Sequence, residues 1–192
     1  MKKTKEELIA DMEEYFVRIK YAFNWVHVYE RFYGKDPFDS SISFEHNMDL
    51  KRFAPAFDRY VKVGLLIAAE LETAKLFDSD PKAKTIEKLI NCCEQSKLFD
   101  NKMLNAFRDE LVSLNVDIVS LRNQRDWVLT HNDKKGWKSG IKAGYDIVKL
   151  LWFALRVCNE FMNTLKGEHH DAQAVYDSYL EQIEKDMFET HP

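Results

Sequence analysis

Apolar side chains return every three or four positions along most of the chain, and strict alternation nowhere extends beyond a few residues. That rhythm belongs to amphipathic helices, whose 3.6-residue turn stacks positions i, i+3, i+4 and i+7 on one face. Over residues 5–33 the stripe runs through Leu8, Met12, Tyr15, Ile19, Phe23, Val26 and Tyr33. Gly34 ends it as a cap, and Pro37 cannot continue it. After a polar loop, a second long helix is predicted over 49–77, with Asp49 as its cap and Pro55 near its first turns. The run "DSDPK" at 78–82 stops that helix. It also opens a short one over 82–95, with Asp80 as cap and Pro81 in the first turn.

The fourth stripe is the most regular. Leu104, Phe107, Leu111, Leu114, Ile118 and Leu121 alternate three- and four-residue steps, and the next two positions in the series are Arg125 and Val128. A fifth helix over 141–165 is apolar on more than one face, which marks it as the central one. Gly167 closes it, and residues 171–188 form a last amphipathic helix. Six glycines and four prolines in 192 residues leave room for few turns, so the elements are long. The expected architecture is all-α, an antiparallel bundle of about five to six helices in one domain spanning 1–192.

Composition narrows the function more than the fold. The most hydrophobic run, "VKLLWFALRV" at 148–157, is cut by Lys149 and bounded by Arg156, well short of the ~20 apolar residues of a membrane span. The start, "MKKTKEEL", lacks the apolar region of a signal peptide, so a cytoplasmic location and no membrane partner are expected. Cys92, Cys93 and Cys158 read as small buried hydrophobes of a reducing compartment, since no C-x-x-C spacing exists. Neither a glycine-rich phosphate loop nor H-E-x-x-H occurs. His169, His170 and Asp171 are neighbours on what reads as a helix cap and point apart, so no metal and no cofactor are expected.

Net charge is −4, which does not draw nucleic acid to the molecule as a whole. Residues 122–142 nevertheless hold six basic side chains against two acidic ones. Arg122, Lys134, Lys135 and Lys138 stand there with Trp137, and cations with an aromatic ring are what single-stranded RNA recognition uses. The alternative is a polar loop whose tryptophan tucks back onto the bundle.

Arg125 is the anomaly, because it falls where the fourth stripe calls for another apolar residue. A buried, unpaired guanidinium is too costly to be incidental. Arg125 must therefore reach solvent, pair with an acid on a neighbouring helix, or line a site. His131 follows six residues later. The arginine and histidine content makes one such spacing expected by chance, and on a continued helix the two would sit about 9 Å and roughly 120° apart. They converge only if the helix unwinds near "THND" or if two subunits face each other. Together they have the chemistry of RNA cleavage without a metal. Histidine titrates near neutrality and moves protons, while arginine stays charged and offers a fork of donors to phosphate.

The segment "LRNQRDWVLTHND" at 121–133 resembles the HEPN superfamily (higher eukaryotes and prokaryotes nucleotide-binding), and within it the abortive-infection type. Leu121, Arg122, Asn123, Arg125, Asp126, His131 and Asp133 match that group's pattern. The stretches "FAPAFDRYVKVGLLIAAELETAKLFD" and "TIEKLINCCE" resemble its second helix and the short helix after it, so the likeness spans 49–133. The resemblance implies a metal-independent endoribonuclease of a toxin or antiviral system, with its site at a homodimer interface. It makes Arg125 and His131 catalytic and Asn123 and Asp126 supporting, with RNA as substrate and an antitoxin or regulatory protein as a further partner. Thr130 stands where alanine is usual. Asp133 stands where some members carry a tyrosine used for control by nucleotidylation. Some relatives are non-catalytic binding or scaffold modules, the alternative for this chain, and a plain bundle with Arg125 salt-bridged is a third reading.

Overall fold

The computed structural model describes residues 3–33, 55–130 and 146–188. Among them lie seven α-helices and no strand: α1 (Lys5–Tyr33), α2 (Pro55–Leu76), α3 (Ile86–Ser96), α4 (Asn101–Ser113), α5 (Asn115–Thr130), α6 (Ile147–Lys166) and α7 (Ala172–Phe188). The all-α bundle expected from the periodicity is the fold. The helix count exceeds the expected five to six because the fourth stripe is borne by two helices. Leu114 (φ −85°, ψ 0°) separates them, although its amide still reaches the Glu110 carbonyl and its carbonyl still accepts from Ile118. Ser113 Oγ donates to that same Glu110 carbonyl at 2.7 Å. Such back-bonding competes with the helical ladder and bends it.

Three predicted boundaries move. Pro55 is the first residue of α2, where its fixed φ and missing N–H suit the first turn; Asp49 lies outside the described residues. The short helix begins at Ile86 and its cap is Thr85, not Asp80. Asp80 and Pro81 instead form a tight turn, closed by the Ala83 amide on the Asp80 carbonyl at 3.0 Å. Thr85 is extended and buried, and its carbonyl accepts the Tyr15 hydroxyl from α1 at 2.9 Å. A tertiary contact thus sets the start of α3. The central helix begins at Ile147 because Asp146 caps it, accepting from the Lys149 amide at 3.0 Å.

That helix, α6, is apolar on more than one face, as its sequence implied, and keeps Lys149, Arg156 and Glu160 on an exposed polar side. Leu150, Leu151, Phe153, Ala154, Leu155, Val157, Cys158 and Phe161 are all buried in one hydrophobic cluster drawn from α1 through α6, with α7 packed on its side. The helices of the core run antiparallel, α1 to α2 and α6, and α6 to the α4–α5 pair. Phe23 meets Trp152 across α1 and α6, Arg156 and Lys149 of α6 pair with Glu110 and Asp117 of α4 and α5, and Lys62 at the start of α2 lies over Tyr29 near the end of α1. All three cysteines are free thiols, and burial pushes those of Cys93 and Cys158 well above their ordinary pKa. No described helix is long and apolar enough to cross a membrane.

The turn into α7 shows how buried polar groups are used. Gly167 takes φ +70° and ends α6, its amide on the Asn163 carbonyl at 2.8 Å. Asn159 and Asn163, both buried, donate to the His170 carbonyl at 2.6 and 2.9 Å, and Asn163 Oδ1 accepts the His170 amide at 3.1 Å. The backbone of the "HHD" run is thereby held, while the His170 ring pairs with Glu168 in solvent. Asn163→Ala strips both His170 backbone groups of that partner and is expected to destabilise the fold by roughly 1–3 kcal/mol. Urea unfolding would show it as a lower midpoint at unchanged m-value.

Candidate functional site

Arg125 stands where α5 leaves the core. Leu114, Ile118 and Leu121 are buried at its upstream turns, and the next position on that seam meets the end of α2 instead of apolar neighbours. Helix C-termini leave carbonyls without partners and carry partial negative charge, so they favour cations. Two arginines one turn apart answer that need. Arg122 Nε donates to the Phe77 carbonyl, and Arg125 Nη1 pairs with the Asp78 carboxylate at 2.6 Å. The second carboxylate is local: Asp126 Oδ1 accepts from Arg125 Nε at 2.9 Å and pairs with Nη2 at 2.8 Å.

The guanidinium is therefore neither buried alone nor free in solvent. Its side chain is 15% exposed and that of Asp78 is 21% exposed, against 62% for Asp126. Of the five N–H donors of an arginine, three face these carboxylates, which leaves two by count. Its pairing with Asp78, above all, holds the Arg125 pKa above the ordinary value, against the opposing effect of burial. For Asp78, burial pushes the pKa up, but the bonds from Arg125 and from the Asp80 and Ser79 amides outweigh it, so the carboxyl titrates below its ordinary 3.8. The Asp80 amide on Asp78 Oδ1, at 3.1 Å, fixes the carboxylate from the far side as an Asx turn.

A pH dependence follows. Because folding lowers the Asp78 pKa, the pair stabilises the fold above the unfolded value of 3.8 and that stabilisation is lost as pH falls through the lower folded value. Between about pH 7 and pH 3, wild type is expected to lose more stability than Asp78→Asn does. Parallel urea titrations check this, and equal losses in the two would show that the pair adds nothing.

The sequence-derived site residues divide by location. Arg125 and Asp126 are joined directly, Asn123 is exposed on the next turn back, and Arg122 is half-buried with its Nε on Phe77. His131, Lys134, Lys135, Trp137 and Lys138 lie outside the described residues. Asp78 is the residue that sequence reasoning missed. The stretch "LFDSDPK" reads as a stop signal, and nothing in it marks which carboxylate turns back toward a helix more than forty positions away. An open groove of about 370 Å³ adjoins the pair, lined by Phe77, Asp78, Thr85, Glu87, Asn115 and Arg122 among others.

On the outer face of α4 and α5, Val112, Val116 and Val119 are exposed (74%, 72% and 42%) at four- and three-residue steps. Asn123 and Asp126 continue that line at the same steps.

The model of the HEPN_AbiU2 family, described as AbiU2, matches residues 2–186. The match reaches from the first helix into the last and so extends well past 49–133, where the resemblance of single segments ends. No curated protein and no solved structure matches the chain.

Proposed function

The chain belongs to the HEPN_AbiU2 family of abortive-infection HEPN proteins, and on that premise we propose that it is a metal-independent endoribonuclease of an antiviral or toxin system, active as a homodimer. The observation that carries this reading is Arg125: a guanidinium held at the edge of the core by two carboxylates, with two N–H donors left by count. Those donors take the non-bridging oxygens of an RNA phosphate. The 2′-hydroxyl attacks phosphorus, His131 of one subunit accepts its proton, and a histidine of the other protonates the departing 5′-oxygen. The products are a 2′,3′-cyclic phosphate and a 5′-hydroxyl, so the substrate is RNA and not DNA. Val112, Val116 and Val119, in line with Asn123 and Asp126, support a two-fold contact along this face, because exposed apolar stripes mark association surfaces. Lys134, Lys135, Trp137 and Lys138 would bind single-stranded RNA beside it, and an antitoxin or regulatory protein would cover the same surface.

A second reading has its own observation. Three Arg125 donors already face carboxylates, which is also how the salt-bridged arginine of a plain bundle is satisfied, and the protein would then be non-catalytic, as a structural bundle or as a module for a protein or nucleotide partner. Incubating the protein with a labelled RNA pool in chelator separates the two. Fragments ending in 2′,3′-cyclic phosphate, lost in His131→Ala and Arg125→Ala, support the nuclease. Intact RNA with a verified dimer supports the module, and cleavage surviving both substitutions removes the site assignment.

A further inference from the structure

Phe77 and Asp78, the two residues that follow α2, each hold one arginine of α5. The Phe77 carbonyl takes Arg122 and the Asp78 carboxylate takes Arg125. These arginines are three residues apart and so lie on neighbouring turns of one face. The clasp fixes the end of α2 against α5 at the point where the apolar seam stops. Asp78 is itself fixed, since its other oxygen accepts the Asp80 amide and its side chain is mostly covered. Asp126 differs: it is 62% exposed and sits on the same helix as Arg125. Asp78 ties the guanidinium to another element of the fold.

We infer that Asp78 is a positioning residue for Arg125, orienting the guanidinium so that the two donors left by count meet the phosphate as charge develops there. This rests on the nuclease reading above. The carboxylate works through one face of the guanidinium and touches no substrate atom. Its effect belongs in the transition state, because an arginine free to rotate still attracts RNA but no longer presents two donors at a set angle. A misplacement of about 1 Å in such a group costs about 100-fold in rate.

The test compares wild type, Asp78→Asn and Asp78→Ala in steady-state cleavage of a labelled RNA, with folding checked by circular dichroism. The expected result is a kcat about 100-fold lower in Asp78→Ala and an intermediate value in Asp78→Asn, which keeps an acceptor oxygen, with KM little changed in both. In parallel, the Arg125 Nη1–H resonances, assigned through Arg125→Lys, should exchange with solvent faster in Asp78→Ala, because Nη1 is the atom that Asp78 holds. Wild type that cleaves, with kcat unaltered in Asp78→Ala, overturns the positioning role and leaves the nuclease standing. A change in KM alone also overturns it, marking Asp78 as a charge that repels RNA. Inactive wild type overturns the nuclease reading first and the positioning role with it. Should Asp78→Ala fail to fold, Asp78→Asn decides by the same kcat and exchange readouts.

Discussion

His131→Ala is expected to lower RNA cleavage by about 10²–10⁴-fold, the usual range for losing a positioned general acid or base. Histidine is the side chain whose ordinary pKa lets it both take and give a proton near neutral pH, and no nearby residue type replaces that. The same loss is expected at Arg125, but alanine is the harsher probe there. Removing the guanidinium leaves Asp78, mostly covered, beside Asp126 with no cation between them. Arg125→Ala therefore destabilises the end of α5 as well as the chemistry, and its folding has to be measured alongside its rate. Arg125→Lys is cleaner. It keeps a positive charge for Asp78 but loses the planar fork, so a strong fall in kcat with stability retained would assign the donors, not the charge, to the reaction. Equal rates for wild type, His131→Ala and Arg125→Lys would end the nuclease assignment at this motif.

The largest effect on stability is expected at Phe161. Its side chain is fully buried on α6, with ring centroids 4.8 Å from Phe99 and 5.5 Å from Phe107, the latter edge-on at 86°. Phe161→Ala removes these contacts and leaves a cavity that the surrounding helices close only in part, at about 3–5 kcal/mol. Against a typical total of roughly 5–15 kcal/mol this is a large fraction, equivalent to a Tm lower by roughly 6–20 °C. Val17, on α1 and away from the proposed two-fold contact, is the internal control. At 53% exposure, Val17→Ala should stay within about 0.5 kcal/mol of wild type. Thermal unfolding of the two variants side by side would expose a wrong assignment of the core if Phe161→Ala were as mild as Val17→Ala.

Much of this molecule was legible in the chain. The residue-by-residue stripes of α1 and of the α4–α5 pair reappear as buried faces: Leu8, Met12, Tyr15, Ile19 and Phe23 in the one, Leu104, Phe107, Leu114, Ile118 and Leu121 in the other. Gly167 ends the central helix in the left-handed conformation that a capping glycine allows. The boundary errors have a common origin. Asp80 with Pro81 is a credible helix start by local chemistry, and Thr85 prevails because Tyr15, seventy positions away, holds its carbonyl. Ser113 carries no visible break signal within a perfect stripe, yet its hydroxyl shares the Glu110 carbonyl with the Leu114 amide at the point where α4 gives way to α5.

The same division runs through the candidate site. The sequence alone determined that Arg125 is out of place on an apolar seam, and that such a guanidinium must reach solvent, pair with an acid or line a site, because burial of an unpaired charge is prohibitive whatever the fold. Only the tertiary structure decided that the acid is Asp78. Helical periodicity is written in each segment, since every turn reports its own solvent exposure. A contact between residues 78 and 125 depends on where two separate helices end, and that is set by how the whole core packs.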